Sequence, residues 1–220
     1  GKRLSALLAQ IPETTDCLYD LCCDHGAIGR AVLESKPNCQ VVFNDIHPGI
    51  MAKLTETLTQ FNASNYQTAI CPAQQVPLLP AQQPTVLLAG VGDEQCIEIL
   101  TYFFAQAEMQ HVRYIVSPAT KVHYVRSFLN QSGAYLLQES TVTENKRTYE
   151  IINFCLPSND KSQLVDPFGH CWQTGNPDHQ KHLTKLLEFY KAQGRQKHTP
   201  THQKIIDGYR QRLKNISTEG

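Results

Sequence analysis

Strand-like and helix-like segments alternate along most of this chain, and near residue 134 the alternation breaks. Five short apolar runs have strand character: DCLYDLC, CQVVFND, NYQTAI, PTVLLAGV and VRYIVSP. Segments with helical spacing or length accompany them. These are GAIGRAVLESKPN with Ile28, Val32 and Leu33; GIMAKLTETLTQFN with Ile50, Leu54, Leu58 and Phe61; DEQCIEILTYFFAQA; and TKVHYVRSFLNQSG, stopped by Gly133. Alternation of this kind implies parallel strand–helix–strand units and a doubly wound α/β sheet. Two more strands, AYLLQESTV and YEIINFCLP, are separated only by the polar turn TENKRT. That is too short for a crossover helix, so they must pair as an antiparallel hairpin.

With 220 residues the chain can hold one domain with an appendage, or two small domains. The formal net charge is zero, so whole-chain charge identifies no partner. No run of 18 apolar residues occurs, which argues against a membrane span. The first residues, GKRLSALLAQIPETTD, lack the pattern of a secretion signal and read as an amphipathic helix with Leu4, Leu7, Leu8 and Ile11 on one face. The eight cysteines form no CxxC pair, and most lie in apolar runs. A zinc site needs closely spaced ligands that one loop can wrap around the ion, so no metal is expected, and reduced thiols point to the cytoplasm.

In a doubly wound sheet the functional loops lie at the carboxyl ends of the strands. LYDLCCDHGAIG ends the first strand and opens the first helix. It keeps Gly26 and Gly29, but Cys22 stands where a nucleotide-binding turn most often has glycine. Asp45 ends the second strand in VVFNDIHPG, twenty-five residues after Asp20. A carboxylate there can accept from both hydroxyls of a ribose; it can also cap the helix that follows.

These residues resemble the bacterial tRNA (adenine-N1) methyltransferases of the TrmK type. The resemblance runs from KRLSALLAQIP through DLCCDHGAIG and LLAGVGDEQCIEIL to YVRSFLNQSGAYLLQESTVTENKRTYEII, and reaches DPFG. It implies a class I (Rossmann-like) methyltransferase sheet ending in the antiparallel hairpin, with S-adenosylmethionine as cofactor and adenine 22 of tRNA as the family target. The implied cofactor-binding residues are Asp20, Cys22, Asp24, His25, Gly26, Asp45, Ile46, Ala89 and Gly90, with Asp20 near the methionine end. Gly90 and Asp93 are implied at the transfer centre. Four departures stand out: Cys22 replaces a glycine, Cys23 a serine, Asp93 the second glycine of a G-M-G-G turn, and SPAT (Ser117 to Thr120) a Q-P-N. Asp93 can accept from the amino group of the target base, or cap the helix EQCIEIL with Glu94 beside it. A metal at Asp24 and His25 would lack further local ligands. Adenine N1 is paired in a duplex, so the base must be unpaired or flipped, and Tyr149, Tyr124 and His123 are candidate stacking rings, the first two also candidates for core packing.

The tail differs in composition. The expected division is a methyltransferase domain over 1–157, a linker over 158–176 and a helical hairpin over 177–220. The hairpin comprises DHQKHLTKLLEFYKAQG and PTHQKIIDGYRQRLKNI, punctuated by Gly194 and Pro200. Leu183, Leu186, Leu187 and Tyr190 form one stripe; Ile205, Ile206, Tyr209 and Leu213 form the other. From Gln180 onward nine Lys or Arg face three acids, a formal +6. Lys181, Lys185, Lys191, Arg210 and Arg212 are the candidate phosphate contacts. The same face can instead be a solvated or dimerising surface, so the chain is a monomer or a dimer through these helices. Two further functions stay open: methylation of a small molecule or protein, and RNA binding without turnover.

Overall fold

The computed structural model describes residues 1–110, 112–156, 163–196 and 199–217. Its elements are α1 (Lys2–Leu8), β1 (Cys17–Leu21), α2 (Ala27–Ser35), β2 (Gln40–Asp45), α3 (Pro48–Gln60), β3 (Tyr66–Ile70), β4 (Pro84–Ala89), α4 (Asp93–Phe104), β5 (Arg113–Ser117), α5 (Val122–Gln131), β6 (Tyr135–Glu144), β7 (Arg147–Cys155), α6 (Pro177–Gln196) and α7 (Pro200–Ile216). The strands form one seven-stranded sheet in the order β3-β2-β1-β4-β5-β7-β6. β1 through β5 pair in parallel, and β7 runs antiparallel to both β5 and β6. The TENKRT turn therefore closes a hairpin, as its length requires.

Both faces of the sheet are covered, which is why the central strands read as unbroken apolar runs. Leu18, Phe43, Leu87, Ile115 and Ile151 pack with Leu7, Val32, Met51, Leu54 and Leu58 from the first three helices. Tyr19, Val42, Val86, Leu88, Tyr114 and Val116 alternate with them and pack with Cys96, Ile99, Phe103, Val125 and Leu129 from α4 and α5. Every residue of β1 is buried. The period of two along each strand thus feeds two separate cores.

Four expectations need adjusting. Between β3 and β4 there is only a 3-10 turn, Ala73–Gln75, because Pro72, Pro77 and Pro80 prevent a longer helix. α1 stops at Leu8, and Ile11 is buried beyond its end. Gly194 does not stop α6 but lies inside it, buried against α7, where a Cβ would meet Ile206 Cδ1 at an ordinary contact distance of 3.6 Å. Residues 158–162 of the expected linker lie outside the described residues. Its remainder is packed: Val165 is fully buried, and Leu164 bridges to Tyr135.

The helical hairpin is seated on the sheet through buried polar groups. Arg126 on α5 is wholly buried, with Nε donating to Glu150 Oε2 at 2.8 Å and Nη1 2.8 Å from Glu139 Oε2. On the other side of Glu150, His182 of α6 lies 3.1 Å from Oε1. His179, one turn earlier, bonds Thr141 of β6 at 2.7 Å. Around them Tyr124, Phe168, Tyr190 and Tyr209 form an aromatic nest. Among the described residues, no helix is long and apolar enough to cross a membrane.

Candidate functional site

The loop after β1 is built on left-handed backbone. Cys22, Asp24 and Gly26 have φ of 52°, 50° and 64°. This explains why glycine is commonest at the Cys22 position: the turn needs a conformation that side chains disfavour. The loop is held to the neighbouring strand by Cys23 N–H donating to Asn44 O at 2.8 Å. Asp20, at the end of β1, is 4% exposed and accepts the Gly29 amide at 2.9 Å. Burial pushes its carboxyl up to about 7, against the pull of that amide. Asp45 is also buried, and its two oxygens accept from Asp24 N–H and His47 N–H, each at 3.1 Å. His47 is the N-cap of α3, so Asp45 is not the cap; it ties the loops after β1 and β2 together. Each of its oxygens keeps a lone pair for a further donor.

Beside this loop opens a cleft of about 570 Å³, lined in part by Asp20, Cys22, Asp24, Ala89, Gly90 and Glu144. α1 closes it through Arg3, Leu4 and Leu7. Gly90 has φ of 89°, and its amide donates to Ser117 O at 3.0 Å, so the turns after β4 and β5 are zipped together.

Two further cavities lie on the same side, one sharing a residue with the cleft and the second sharing residues with the first. Glu144 is shared with a groove of about 450 Å³ lined by Lys2, Lys146, Lys181, Lys185 and Asp178. Thr148, His182 and Lys185 are shared between that groove and a largely apolar recess of about 590 Å³. The recess lies between the turn after β5 and α6, with Thr120, Arg147 and Tyr149 on one side and Leu186 and Phe189 on the other. At its edge Thr120 Oγ1 donates to Asp93 Oδ1 at 2.7 Å. The two departures from the family pattern noted at the transfer centre are therefore bonded to each other. Asp93 is the first residue of α4, after the N-cap Gly92, and its side chain makes no cap bond. Arg147 holds the same turn by donating to the Ala119 carbonyl.

The sequence-derived candidates divide. Asp20, Cys22, Asp24, Ala89 and Gly90 meet in the cleft; Asp45 and Ile46, the latter 53% exposed, lie at the adjoining strand end. His25 is exposed beside Asp24, and Gly26 is the N-cap of α2; neither lines the cleft. Of the proposed rings, His123 and Tyr124 are committed to the aromatic nest, with His123 Nδ1 2.9 Å from Pro167 O. Tyr149 remains in the recess. Lys181 and Lys185 face the groove, whereas Lys191 pairs with Glu188 and Arg210 with Asp207 within their own helices. Arg212 is turned inward, bonding Gly169 O and Asp166 Oδ1, each at 3.0 Å, so it serves the loop rather than the groove. Lys197 and Glu219 lie outside the described residues. The sequence reading missed Arg3, Glu144, Lys2 and Lys146, whose positions depend on how α1 and the β6–β7 turn fold over the strand ends. Burial pushes the Cys22 thiol up to about 11 and Cys23 higher, and all eight cysteines are free. Among the described residues, no group of three or more His, Cys, Asp or Glu could hold a metal ion.

A family model described as a methyltransferase domain matches residues 1–152. Among solved structures, the chain is similar to TrmK of M. capricolum in complex with the cofactor product S-adenosyl-homocysteine, at 16% identity, TM-score 0.75 and 98% coverage of both chains. It is also similar to the M1A22 tRNA methyltransferase TrmK of B. subtilis, at 17% identity and TM-score 0.67, covering 98% of this chain and 96% of that one. A third similar structure is a putative tRNA (m1A22) methyltransferase of Streptococcus pneumoniae with S-adenosyl-L-methionine, at 17% identity and TM-score 0.70, covering 97% and 99%. At such identities the likeness is one of fold. No curated protein matches the sequence.

Proposed function

The chain belongs to the methyltransferase domain family, and from that premise we propose that it transfers a methyl group from S-adenosylmethionine to N1 of an unpaired adenine in tRNA, in the cytoplasm. One observation carries this reading: the cleft lined by Asp20 shares Glu144 with a lysine-lined groove, and that groove shares Thr148, His182 and Lys185 with an apolar recess. The first suits a charged nucleoside, the second a phosphate backbone, the third an extruded base. The likeness to structures described as tRNA (m1A22) methyltransferases supports the same target.

The residues present fit the cofactor. Asp20 is a buried carboxylate with no cation within ion-pair distance among the described residues, so a sulfonium and an ammonium nearby would offset its cost. Asp45 offers one lone pair on each oxygen to the ribose hydroxyls, and Ile46 an apolar surface to the adenine ring. When bound, the cofactor supplies an electrophilic methyl group. The protein's part is then approach and electrostatics. Tyr149, with the Arg3 and Arg147 guanidinium groups over its ring, lines the recess that takes the target base together with Leu186 and Phe189, and Lys181 and Lys185 hold phosphate. Asp93, oriented by Thr120, accepts from the exocyclic amine and favours the cationic product base.

Incubation with methyl-labelled S-adenosylmethionine and bulk tRNA, followed by nucleoside mass spectrometry, tests the proposal. Label in 1-methyladenosine is the expected result. Label in another nucleoside changes the target, and no incorporation into tRNA overturns the proposal.

A further inference from the structure

Resting on that cofactor reading, we propose that Arg3 is the ligand of the cofactor's α-carboxylate, so that α1 is part of the cofactor site and not only a cover for the sheet. Arg3 is the one cationic side chain among the described residues lining the cleft, alongside the carboxylates Asp20, Asp24 and Glu144. S-adenosylmethionine has the opposite pattern: a sulfonium and an ammonium, and a single carboxylate. Matching the charges puts that carboxylate at Arg3.

The guanidinium is placed and held, but not satisfied. Its nearest terminal nitrogen would lie 3.8 Å from a Cβ on Gly90, at the end of β4. Its Cζ stands 4.3 Å from the centre of the Tyr149 ring, over which Arg147 also lies at 4.9 Å. Nη2 makes one long bond, 3.5 Å, to Ser117 O. Nε is buried and has no hydrogen-bond partner, and no carboxylate among the described residues comes within ion-pair distance. A guanidinium carries five donors in a planar fork that matches a carboxylate, and leaving a buried one unpaired is costly. Lysine could not replace it well, because an ammonium has neither the fork nor the flat face that rests on Tyr149.

A pair of ligands tests this with binding as the readout. S-adenosylhomocysteine carries the α-carboxylate; 5′-methylthioadenosine keeps the nucleoside but lacks the amino-acid end. Calorimetry should show wild type preferring S-adenosylhomocysteine. In Arg3→Ala and Arg3→Gln that ligand should weaken about 10- to 100-fold, with 5′-methylthioadenosine unchanged within about twofold. Arg3→Lys should recover part of the loss. An equal loss for both ligands would show that Arg3 supports the fold instead, and no loss for either would remove it from the site. A loss of tRNA affinity alone would assign it to an RNA phosphate. If wild type binds neither ligand, the cofactor reading falls and Arg3 with it; if wild type discriminates and the Arg3 variants do so equally well, only the Arg3 assignment falls.

Discussion

Asp20 and Glu150 are both buried carboxylates on strands of one sheet, and their surroundings are opposite. Glu150 sits at the seam with α6. Burial alone would raise its carboxyl, but Arg126 and His182 bring it down to about 2. Asp20 is a buried part of the cleft lining, where burial outweighs the one amide bond and raises it to about 7. A carboxylate paired within the protein holds two elements together. One left unpaired at the end of a strand is a cost the fold accepts where a cationic ligand can offset it. The tail repeats this division: Lys191 and Arg210 have acidic partners one turn away, while Lys181 and Lys185 face a groove.

Breaking the seam should have the largest effect. Arg126→Met removes the cation and leaves Glu139 and Glu150 buried together. We expect a loss of about 3–5 kcal/mol in urea unfolding at neutral pH, the usual cost of orphaning a buried charge. The pH dependence has a definite sign. Because the folded value of Glu150 is depressed, the stability it contributes is complete above about 4.5, the ordinary value, and is lost as pH falls through about 2. A loss below about 1 kcal/mol in the variant would mean that the seam is not where the hairpin is held.

The paired end went unread, although the sequence marks it. Val122, Val125 and Leu129 mark the buried stripe of α5, and Arg126 falls on that stripe, so a buried cation was there to be read. Glu150 likewise interrupts an apolar strand in TYEII. The strands, the terminal hairpin and the two loops with Asp20 and Asp45 followed from periodicity and position. What could not be read was what meets across the strand ends. Arg3 is one charge on an amphipathic helix until that helix is known to lie over Gly90. Asp93 and Thr120 stood out separately as departures, but their contact spans 27 residues. The recess draws one wall from residues 118–122 and the other from 182–189, and only tertiary packing brings these together.

The unpaired end should respond in the opposite direction. Asp20→Asn keeps an acceptor for the Gly29 amide and removes the buried charge. It should stabilise the free protein by about 1–2 kcal/mol at pH 7 while weakening S-adenosylhomocysteine binding at least about tenfold. For wild type, the raised folded value means that the native state holds the proton more tightly than the unfolded chain. Stability from this group is therefore full below about 4, and declines as pH rises through about 7. The variant should lose that slope. Urea midpoints from pH 4 to 8 read it, and a destabilised variant would show that Asp20 is a structural acceptor only.

The lysines extend the comparison to RNA. Lys181→Glu with Lys185→Glu should weaken tRNA binding about tenfold and lower the salt slope by roughly 2, because each lost phosphate contact releases about one counterion fewer. The matched pair Lys191→Glu with Arg210→Glu changes the same formal charge at sites already neutralised within their helices. It should leave the slope nearly as in wild type. Equal effects from the two pairs would mean that net charge governs binding and the groove does not. No effect from either would favour the helices as a dimer surface, which sedimentation would reveal.

The smallest expected effect concerns the strain stored in the cleft. Cys22 holds a φ of 52° that glycine adopts freely. Relief of that strain in Cys22→Gly is worth roughly 1–2 kcal/mol. Against it stand about 0.5–1 kcal/mol of added freedom in the unfolded chain and the lost burial of a half-covered side chain. The net change in stability should stay within about 0.5 kcal/mol of zero. Affinity for S-adenosylhomocysteine should not change, since the thiol remains protonated and the cleft around the Cys22 backbone keeps its shape. A clear fall in affinity at unchanged stability would give the thiol itself a place in the site. The difference between the two ends would then rest on a side chain as well as on charge.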